Sequence, residues 1–184
     1  MSEYDFMLNR NKKLIIDVPD FPKPGILFKD ISPVFGDQSE LRNLIKAQAR
    51  FIKINGRDFD KIVAIESRGF LLGSLLSYET GLPLVLARKA GKLPREVVHQ
   101  EYGLEYGKDR IEIHKDDIVS GENILIVDDV LATGGTATAV GSIIEALEAN
   151  VTGFWFLMEI KELNGQDVLF NKFDIDASDI EVVL

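Results

Sequence analysis

The chain alternates short apolar strands with amphipathic helices, and this alternation restricts its fold more than any other feature. Strand, helix and strand follow one another twice: 61–65, 68–80 and 84–88, then 124–127, 134–149 and 151–159. A strand–helix–strand unit joins two parallel strands through a helix that packs on the sheet. The sequence therefore predicts an α/β fold: one mainly parallel, twisted sheet flanked by helices.

The bulk composition indicates a single domain over 1–184 and narrows the range of partners. The chain has 184 residues, 46% of them hydrophobic, and no internal repeat or low-complexity linker. Its net charge of −9 argues against a protein that coats nucleic acid or an anionic membrane. It has no cysteine, no secretory signal pattern and no apolar run near the roughly 20 residues of a membrane span. We therefore expect a cytoplasmic protein without a nucleic-acid or membrane partner.

The segment before the first unit contains a turn and a helix. Residues 21–25 hold two prolines and a glycine, which predicts an extended, turning segment that folds over the sheet as a hood within about 1–35. Residues 38–55 carry apolar positions at helical spacing, with Asp37 or Ser39 available as the N-cap.

The two units are separated by residues 89–109, which contain glycines, Pro94 and many charges. Loops of this length are usually functional or disordered, so we expect a flexible loop here, followed by a short strand over 110–114. Within it, the flanking glycines of 102–108 suit a lid, and Glu105 supplies a carboxylate that lid closure would bring over a ligand. The alternative for Glu105 is ordinary loop surface.

The first strand of the second unit ends in two acids and a Thr/Gly-rich turn, residues 127–136. Asp128 and Asp129 would repel a phosphate but can accept hydrogen bonds from vicinal sugar hydroxyls. The turn opens a helix whose unpaired N–H groups attract phosphate, and Gly134 and Gly135 permit positive φ and close backbone approach. A capped helix start beside a solvated acidic corner is the alternative. Both halves in one run favour a site for a phosphorylated ribose.

This run resembles the phosphoribosyl-pyrophosphate loop of the type I phosphoribosyltransferases. Residues 66–70 also follow a buried strand and open a helix, so they should lie at the same sheet edge and form a second phosphate site. The alternative is structural: Ser67 would only cap the helix, and Arg68 would pair with Glu66. In the resembled family this place is the pyrophosphate loop, where the peptide bond corresponding to Glu66–Ser67 is cis.

A group of basic residues follows the next strand of this otherwise acidic protein. Arg88, Lys89 and Lys92 concentrate positive charge there. A bound pyrophosphate needs such a counter-charge, whereas a solvated basic corner is the alternative. Their position beside the predicted second phosphate site favours the pyrophosphate.

Together with residues 21–31, these motifs resemble the adenine phosphoribosyltransferases. The match runs from about 21 to 159 and keeps the motifs in the order of the family. Lys29 stands where many members have Arg, which leaves a bidentate contact by this residue open. Residues beyond Glu159 match poorly, and no function is assigned to them.

The resemblance implies the type I phosphoribosyltransferase fold, with an N-terminal hood and a flexible lid loop over about 89–109. It implies a purine-salvage enzyme that converts adenine and 5-phosphoribosyl-1-pyrophosphate, with Mg²⁺, into AMP and pyrophosphate, usually as a homodimer. The substrate would hold most of the Mg²⁺ coordination, so no residue is assigned as a metal ligand. The implied site residues are Asp128 and Asp129 for the ribose; Ala132, Thr133, Gly134, Gly135 and Thr136 for the 5′-phosphate; Ser67, Arg68, Arg88, Lys89 and Lys92 for the pyrophosphate; Leu27, Phe28 and Lys29 for adenine; Glu105 for acid/base catalysis; and Tyr106 for the lid.

Two other functions stay open at this point. A phosphoribosyltransferase for xanthine or another 6-oxopurine would share the ribose-phosphate loop, although the hood resemblance argues against it. A non-catalytic regulator that senses phosphoribosyl pyrophosphate would also keep the loop. About 20 residues precede Phe21, which is too few for a DNA-binding domain, and the net charge of −9 is wrong for DNA.

Overall fold

A computed structural model of the chain describes residues 10–21, 23–54, 58–104 and 107–184. Within these ranges a short hairpin precedes a larger sheet that has helices on both faces. The strands are β1 (Ile16–Pro19), β2 (Leu27–Asp30), β3 (Lys61–Ile65), β4 (Leu84–Lys89), β5 (Val97–Leu104), β6 (Gly107–His114), β7 (Asn123–Leu131), β8 (Asn150–Glu159) and β9 (Ile180–Val182). The helices are α1 (Ser32–Gly36), α2 (Gln38–Ile54), α3 (Arg68–Thr80), α4 (Gly135–Ala146) and α5 (Gly165–Lys172).

The larger sheet has the order β5-β6-β4-β3-β7-β8-β9. Strands β4, β3, β7, β8 and β9 run parallel, and only β5 and β6 pair antiparallel to their neighbours. The units β3-α3-β4 and β7-α4-β8 confirm the predicted mainly parallel α/β fold. Since Ala64 pairs with Val127 and Ile65 with Ala87, the residues that follow β3 lie between those at the ends of β7 and β4.

The sheet is buried on both faces, which explains why its central strands are continuously apolar. Ile62 and Val63 are neighbours on β3 that belong to opposite faces, and both are fully buried. Helices α1, α2 and α3 cover the face of Ile62, and α4 and α5 cover the face of Val63. On the first face the indole N–H of Trp155 donates to Gln48 Oε1 at 3.2 Å, so its one polar atom is satisfied.

Most predicted element boundaries are confirmed to within a residue or two. Asp37 is the N-cap of α2, because its Oδ1 accepts the N–H groups of Ser39 and Glu40, each at 3.0 Å. Gly81 ends α3 with φ +80°, as the left-handed conformation of a helix C-cap requires.

Two boundaries in the second unit differ from the prediction. Strand β7 continues to Leu131 instead of ending at Val127, because β8 pairs with it as far as Leu131↔Glu159. The two acids therefore lie on the strand and not in the turn. Helix α4 covers Gly135–Ala146 instead of 134–149, because Gly134 and Glu148 adopt positive φ, 78° and 59°, and break the helix at both ends.

The prediction of one long irregular loop over 89–109 was wrong for most of its length. Strands β5 and β6 form an antiparallel hairpin with pairing from Val97↔His114 to Leu104↔Gly107, so the segment outside strands is only 90–96. The partner strand supplies hydrogen bonds that local sequence does not reveal, and Val98 and Tyr102 pack against the core under α4. The role of this hairpin as a lid remains a prediction.

The predicted hood contains a separate two-stranded sheet made by β1 and β2. Its turn includes Gly25 with φ +86°, whose N–H donates to Asp20 Oδ1 at 2.7 Å. Pro22 of the predicted turning segment lies outside the described residues. In the described part of the chain, no helix has the length and apolar character needed to cross a bilayer.

Candidate active site

The loop after β3 and the end of β7 are in direct contact. The Glu66–Ser67 peptide bond is cis, as the family resemblance implied, and α3 begins at Arg68. A Cβ on Gly69 would come within 2.8 Å of Asp128 Oδ1, so only glycine lets the first turn of α3 lie this close to the acid. Ser67 makes no side-chain capping bond to α3, and the alternative that it serves only as a cap is wrong.

Arg68 joins this loop to the acidic pair. Its Nε lies 2.5 Å from Oδ2 of Asp129, a residue only 6% exposed. The alternative pairing of Arg68 with Glu66 is therefore wrong. The N–H of Asp129 donates to Asp128 Oδ1 at 2.8 Å, and burial together with the adjacent Asp129 carboxylate raises the pKa of Asp128 well above its usual value. These acids suit neutral hydroxyl partners better than a phosphate.

The Thr/Gly-rich turn lies between β7 and α4. Gly134 has φ +78°, so it uses the left-handed conformation predicted for this turn, whereas Gly135 does not have positive φ. Gly135 donates its N–H to Thr133 Oγ1 at 3.4 Å, and the Thr138 N–H donates to the Gly134 carbonyl at 2.8 Å. Because α4 starts here, the first amides of the helix are available to an anion at the carboxyl edge of the sheet.

Glu66 holds the basic residues at the end of β4 and just after it. Its side chain is 6% exposed. Its Oε2 accepts the Nε of Arg88 and the backbone N–H of Lys89, both at 3.1 Å, and its Oε1 pairs with Lys92 Nζ. Burial raises the pKa of Glu66, but the hydrogen bonds from these three residues outweigh it and lower that pKa. Arg88 and Lys92 are therefore held by a buried carboxylate, while the Lys92 side chain is also 46% exposed.

Asp109 binds the side chain of Lys89. Lys89 Nζ lies 3.1 Å from Asp109 Oδ2, and the Tyr102 hydroxyl donates to the same oxygen at 3.2 Å. The hydrogen bond and charge of Asp109 raise the pKa of Lys89. Each of the four cationic side chains predicted for the pyrophosphate is thus paired with an acid: Arg68 with Asp129, Arg88 and Lys92 with Glu66, and Lys89 with Asp109.

Sequence reasoning missed Glu66 and Asp109 as members of the site. The signal for Glu66 was its place at the carboxyl end of a buried strand, beside residues already identified. Asp109 gave no such signal, because its position depends on the unpredicted pairing of β5 with β6.

The hood reaches the site through Phe28. The Phe21 ring meets it edge-on at 5.1 Å, and the Arg68 guanidinium lies 5.4 Å from its ring centroid. Phe28 belongs to neither buried core cluster, which argues against a purely structural role. Leu27 is half exposed, and Lys29 Nζ pairs with Asp17 Oδ1 across the hood hairpin at 2.5 Å.

Two predicted residues cannot be placed. Glu105 and Tyr106 lie outside the described residues, between β5 and β6. Their roles in catalysis and in the lid stay predictions.

The start of α5 packs on the Thr/Gly-rich turn, although no function was assigned beyond Glu159. A Cβ on Gly165 would lie 2.3 Å from the Ala132 carbonyl oxygen, and a Cβ on Gly134 would lie 2.9 Å from the Gly165 carbonyl oxygen. Glycine is needed on both sides of this contact. The C-terminal segment therefore supports the turn from behind.

The chain is similar to proteins of one family throughout. A family model described as phosphoribosyl transferase domain matches residues 37–170. The adenine phosphoribosyltransferase of Francisella philomiragia is 47% identical over 165 residues, which cover 90% of this chain and 92% of that protein. The enzyme of the same name from a Synechococcus strain is 48% identical over 158 residues, covering 86% and 91%.

Solved structures give the same result. The adenine phosphoribosyltransferase of Saccharomyces cerevisiae, crystallised with adenine and an imino-altritol bisphosphate, superposes with a TM-score of 0.89 at 38% identity, covering 98% of this chain and 99% of that one. The Thermoanaerobacter pseudethanolicus enzyme superposes with a TM-score of 0.87 at 44% identity, covering 96% and 98%. This chain therefore belongs to the phosphoribosyltransferase family and, within it, to the adenine phosphoribosyltransferases.

Proposed function

We propose that this enzyme transfers the 5-phosphoribosyl group of phosphoribosyl pyrophosphate to adenine, giving AMP and pyrophosphate in purine salvage. One observation carries the proposal: a helix-start turn, an acidic pair and a group of acid-held cations converge at one edge of the sheet. The 5′-phosphate needs the helix-start turn, the ribose hydroxyls need the acidic pair, and the pyrophosphate needs the cations.

The reaction is a displacement at the anomeric carbon, which passes through an oxocarbenium-like centre. The enzyme must hold both reactants in line, neutralise the departing pyrophosphate and exclude water. We assign the ribose hydroxyls to Asp128 and Asp129. We assign the 5′-phosphate to Ala132, Thr133, Gly134, Gly135 and Thr136, and the pyrophosphate to Ser67, Arg68, Arg88, Lys89 and Lys92.

For the base, Phe28 would stack on the adenine ring, and the Leu27 backbone would read its Watson–Crick edge. On the hood hairpin Leu27 is half exposed and Phe28 is partly buried, which supports this assignment. Lys29 is assigned to the same pocket, where its pair with Asp17 would orient it. Glu105 would act as the acid/base near the purine nitrogen, and Tyr106 would belong to the lid.

Mg²⁺ would be bound mainly by the phosphate and hydroxyl oxygens of the substrate. Hard oxygen donors suit this ion, which usually keeps several waters and few protein ligands. The two acids of the site already have partners, since Asp128 Oδ1 accepts the Asp129 N–H and Asp129 Oδ2 pairs with Arg68. Bound Mg²⁺ would offset the charge of the pyrophosphate, while Arg68 and the other cations hold it in place.

We also propose that the enzyme is a cytoplasmic homodimer. The absence of cysteine supports a reducing compartment. An apolar surface supports the dimer: Leu71 and Tyr78 lie two turns apart on α3 and are 52% and 88% exposed, and Leu86 on β4 is 37% exposed. Val85 and Ala87 belong to the core on the opposite face of the sheet, so Leu86 lies on the face that α3 covers. We call these three residues the α3 surface.

An assay with four bases tests the proposed reaction. The enzyme is incubated with phosphoribosyl pyrophosphate, Mg²⁺ and adenine, hypoxanthine, guanine or xanthine, and the nucleotide formed is measured. We expect AMP from adenine and no nucleotide from the other bases. Product from a 6-oxopurine would contradict the assignment of adenine, and binding of phosphoribosyl pyrophosphate without any product would favour a regulator.

A further inference from the structure

Tyr102 and Asp109 form a polar pair near the turn of the β5–β6 hairpin. They are opposite each other in the strand register, and the Tyr102 hydroxyl donates to Asp109 Oδ2 at 3.2 Å. The Tyr102 ring packs against the core under α4, and this burial raises the pKa of Tyr102, so the hydroxyl keeps its proton. The pair therefore couples a fixed ring to a carboxylate on the neighbouring strand.

The pair continues at one end into a residue of the proposed site and at the other end into the core. Asp109 Oδ2 also binds Lys89 Nζ at 3.1 Å, while its Oδ1 accepts the Arg110 N–H at 2.9 Å. At the other end, the Tyr102 ring is packed against the core beside α4, the helix that begins after the Thr/Gly-rich turn. Asp109 and Tyr102 thus connect Lys89, at the end of β4, with the core beneath α4.

Among the described residues, Asp109 alone is ion-paired with the Lys89 side chain. Glu66 binds only the backbone N–H of Lys89. On the proposed function, Lys89 binds the pyrophosphate, and the turn before α4 binds the 5′-phosphate of the same substrate molecule. These contacts therefore tie Lys89 to the core beneath the helix that carries the other end of the phosphoribosyl pyrophosphate site, through side chains that need not touch the substrate.

We propose that Tyr102 and Asp109 are positioning residues that set Lys89 relative to α4 and so prepare the enzyme for phosphoribosyl pyrophosphate. This inference rests on the proposed function. The pair acts on binding of that substrate and not on the proposed adenine pocket, which the hood provides through Phe28. Loss of one such hydrogen bond corresponds to roughly a 3- to 10-fold change in binding.

The test uses variants that keep shape and remove one contact. Tyr102→Phe removes the hydroxyl and leaves the ring in the core, and Asp109→Asn removes the charge. Asp116→Asn is a matched control at an exposed position. We measure kcat and the KM values for phosphoribosyl pyrophosphate and adenine, with thermal unfolding to confirm that each variant is folded.

We expect Tyr102→Phe and Asp109→Asn each to raise the KM for phosphoribosyl pyrophosphate about 3- to 10-fold and to leave the KM for adenine within about 2-fold. The double variant should resemble the single variants, because either substitution breaks the same series of contacts. Wild-type values for phosphoribosyl pyrophosphate in Tyr102→Phe, the milder substitution, would overturn the inference. An equal rise in both KM values would also overturn it.

The same variants separate this inference from the proposed function. If the wild-type protein binds phosphoribosyl pyrophosphate but makes no AMP, the proposed reaction fails, and the Kd for phosphoribosyl pyrophosphate should still weaken about 3- to 10-fold in the variants. If the wild type makes AMP and the variants bind phosphoribosyl pyrophosphate with the wild-type Kd, only the positioning role fails.

Discussion

Glu66 organises three of the basic residues that we assign to the pyrophosphate. Its carboxylate binds Arg88 through Nε, while Arg88 Nη1 donates to the Lys92 carbonyl oxygen at 3.4 Å. It also fixes the backbone of Lys89 and the ammonium group of Lys92. A carboxylate can therefore determine where the cations that we assign to the pyrophosphate lie.

Replacing Glu66 by Gln should weaken catalysis strongly. The amide keeps the size of the side chain but places an NH₂ group against the cations and removes the charge that holds them. Hydrogen bonds to charged groups contribute roughly 1.5–3 kcal/mol, so kcat/KM for phosphoribosyl pyrophosphate should fall about 10- to 100-fold. Steady-state kinetics measure this, with Glu96→Gln as control, because Glu96 is exposed and pairs with Lys115. A value within 2-fold of wild type would refute the role of Glu66.

Glu66 should also make the free energy of unfolding depend on pH in the acid range. The pKa of Glu66 is lower in the folded protein than in the unfolded chain, because its bonds to Lys92, Lys89 and Arg88 outweigh burial. A carboxyl of this kind stabilises the fold above its unfolded pKa, and the stabilisation is lost as pH falls through the folded value. Below about pH 4.3 the free energy of unfolding should therefore fall less steeply in Glu66→Gln than in wild type. Urea unfolding between neutral and acid pH tests this, and parallel curves would contradict it.

At the scale of elements, the site depends on α5, a helix that contributes no predicted ligand. Its first residue, Gly165, lies against the Ala132 carbonyl and Gly134, so the phosphate turn is packed between α5 and the rest of the site. The position of this turn is therefore set partly by a segment whose sequence carries no motif.

A methyl group at Gly165 should disturb the turn. Gly165→Ala would place a Cβ 2.3 Å from the Ala132 carbonyl oxygen and 2.8 Å from Leu131 Cδ1, so either α5 or the turn must move. Such overpacking typically costs about 1–3 kcal/mol of the free energy of unfolding, and we expect the KM for phosphoribosyl pyrophosphate to rise with it. Gly36→Ala is the control, because nothing lies within 4 Å of a Cβ there. Equal thermal stability and KM in the two variants would show that α5 does not support the turn.

The elements that could be predicted are those whose signal is local. Apolar runs predicted β3 and β7 and the helices that follow them. Asp37 and Gly81 indicated helix ends, because each interacts with residues only a few positions away. The β5–β6 hairpin could not be predicted in this way, because its stability comes from a partner strand and from the packing of Tyr102 under α4.

The same distinction holds for the site. The acidic pair and the Thr/Gly-rich turn were predictable because they are contiguous in sequence. The partners of the cations were not, since Arg88 meets Glu66 only after β3 and β4 pair, and Lys89 meets Asp109 only after β4 and β6 pair.

At the scale of the whole molecule, the α3 surface leaves apolar side chains exposed on one face. Tyr78, 88% exposed, is the largest contributor, and an unpartnered aromatic of this kind is typical of an interface core. The homodimer that we propose would bury this face and leave the carboxyl edge of the sheet open to substrates.

A charge in the α3 surface should therefore prevent dimer formation. Tyr78→Asp would place a carboxylate at the centre of the proposed interface, where it would be desolvated without a partner. We expect wild type to sediment as a dimer and the variant as a monomer. Leu163→Asp is the control, because Leu163 is also exposed, at 43%, but lies away from α3. A monomeric wild type, or an unchanged dimer in Tyr78→Asp, would contradict this location.

The stoichiometry of the reaction tests the central claim most directly. Wild-type protein is mixed with Mg²⁺, adenine and phosphoribosyl pyrophosphate, and AMP and pyrophosphate are measured in the same sample over time. We predict that they form in equal amounts and that neither forms when adenine is omitted. Pyrophosphate release without AMP, or binding of phosphoribosyl pyrophosphate with no product at all, would contradict the assignment of this chain as a transferase that makes AMP.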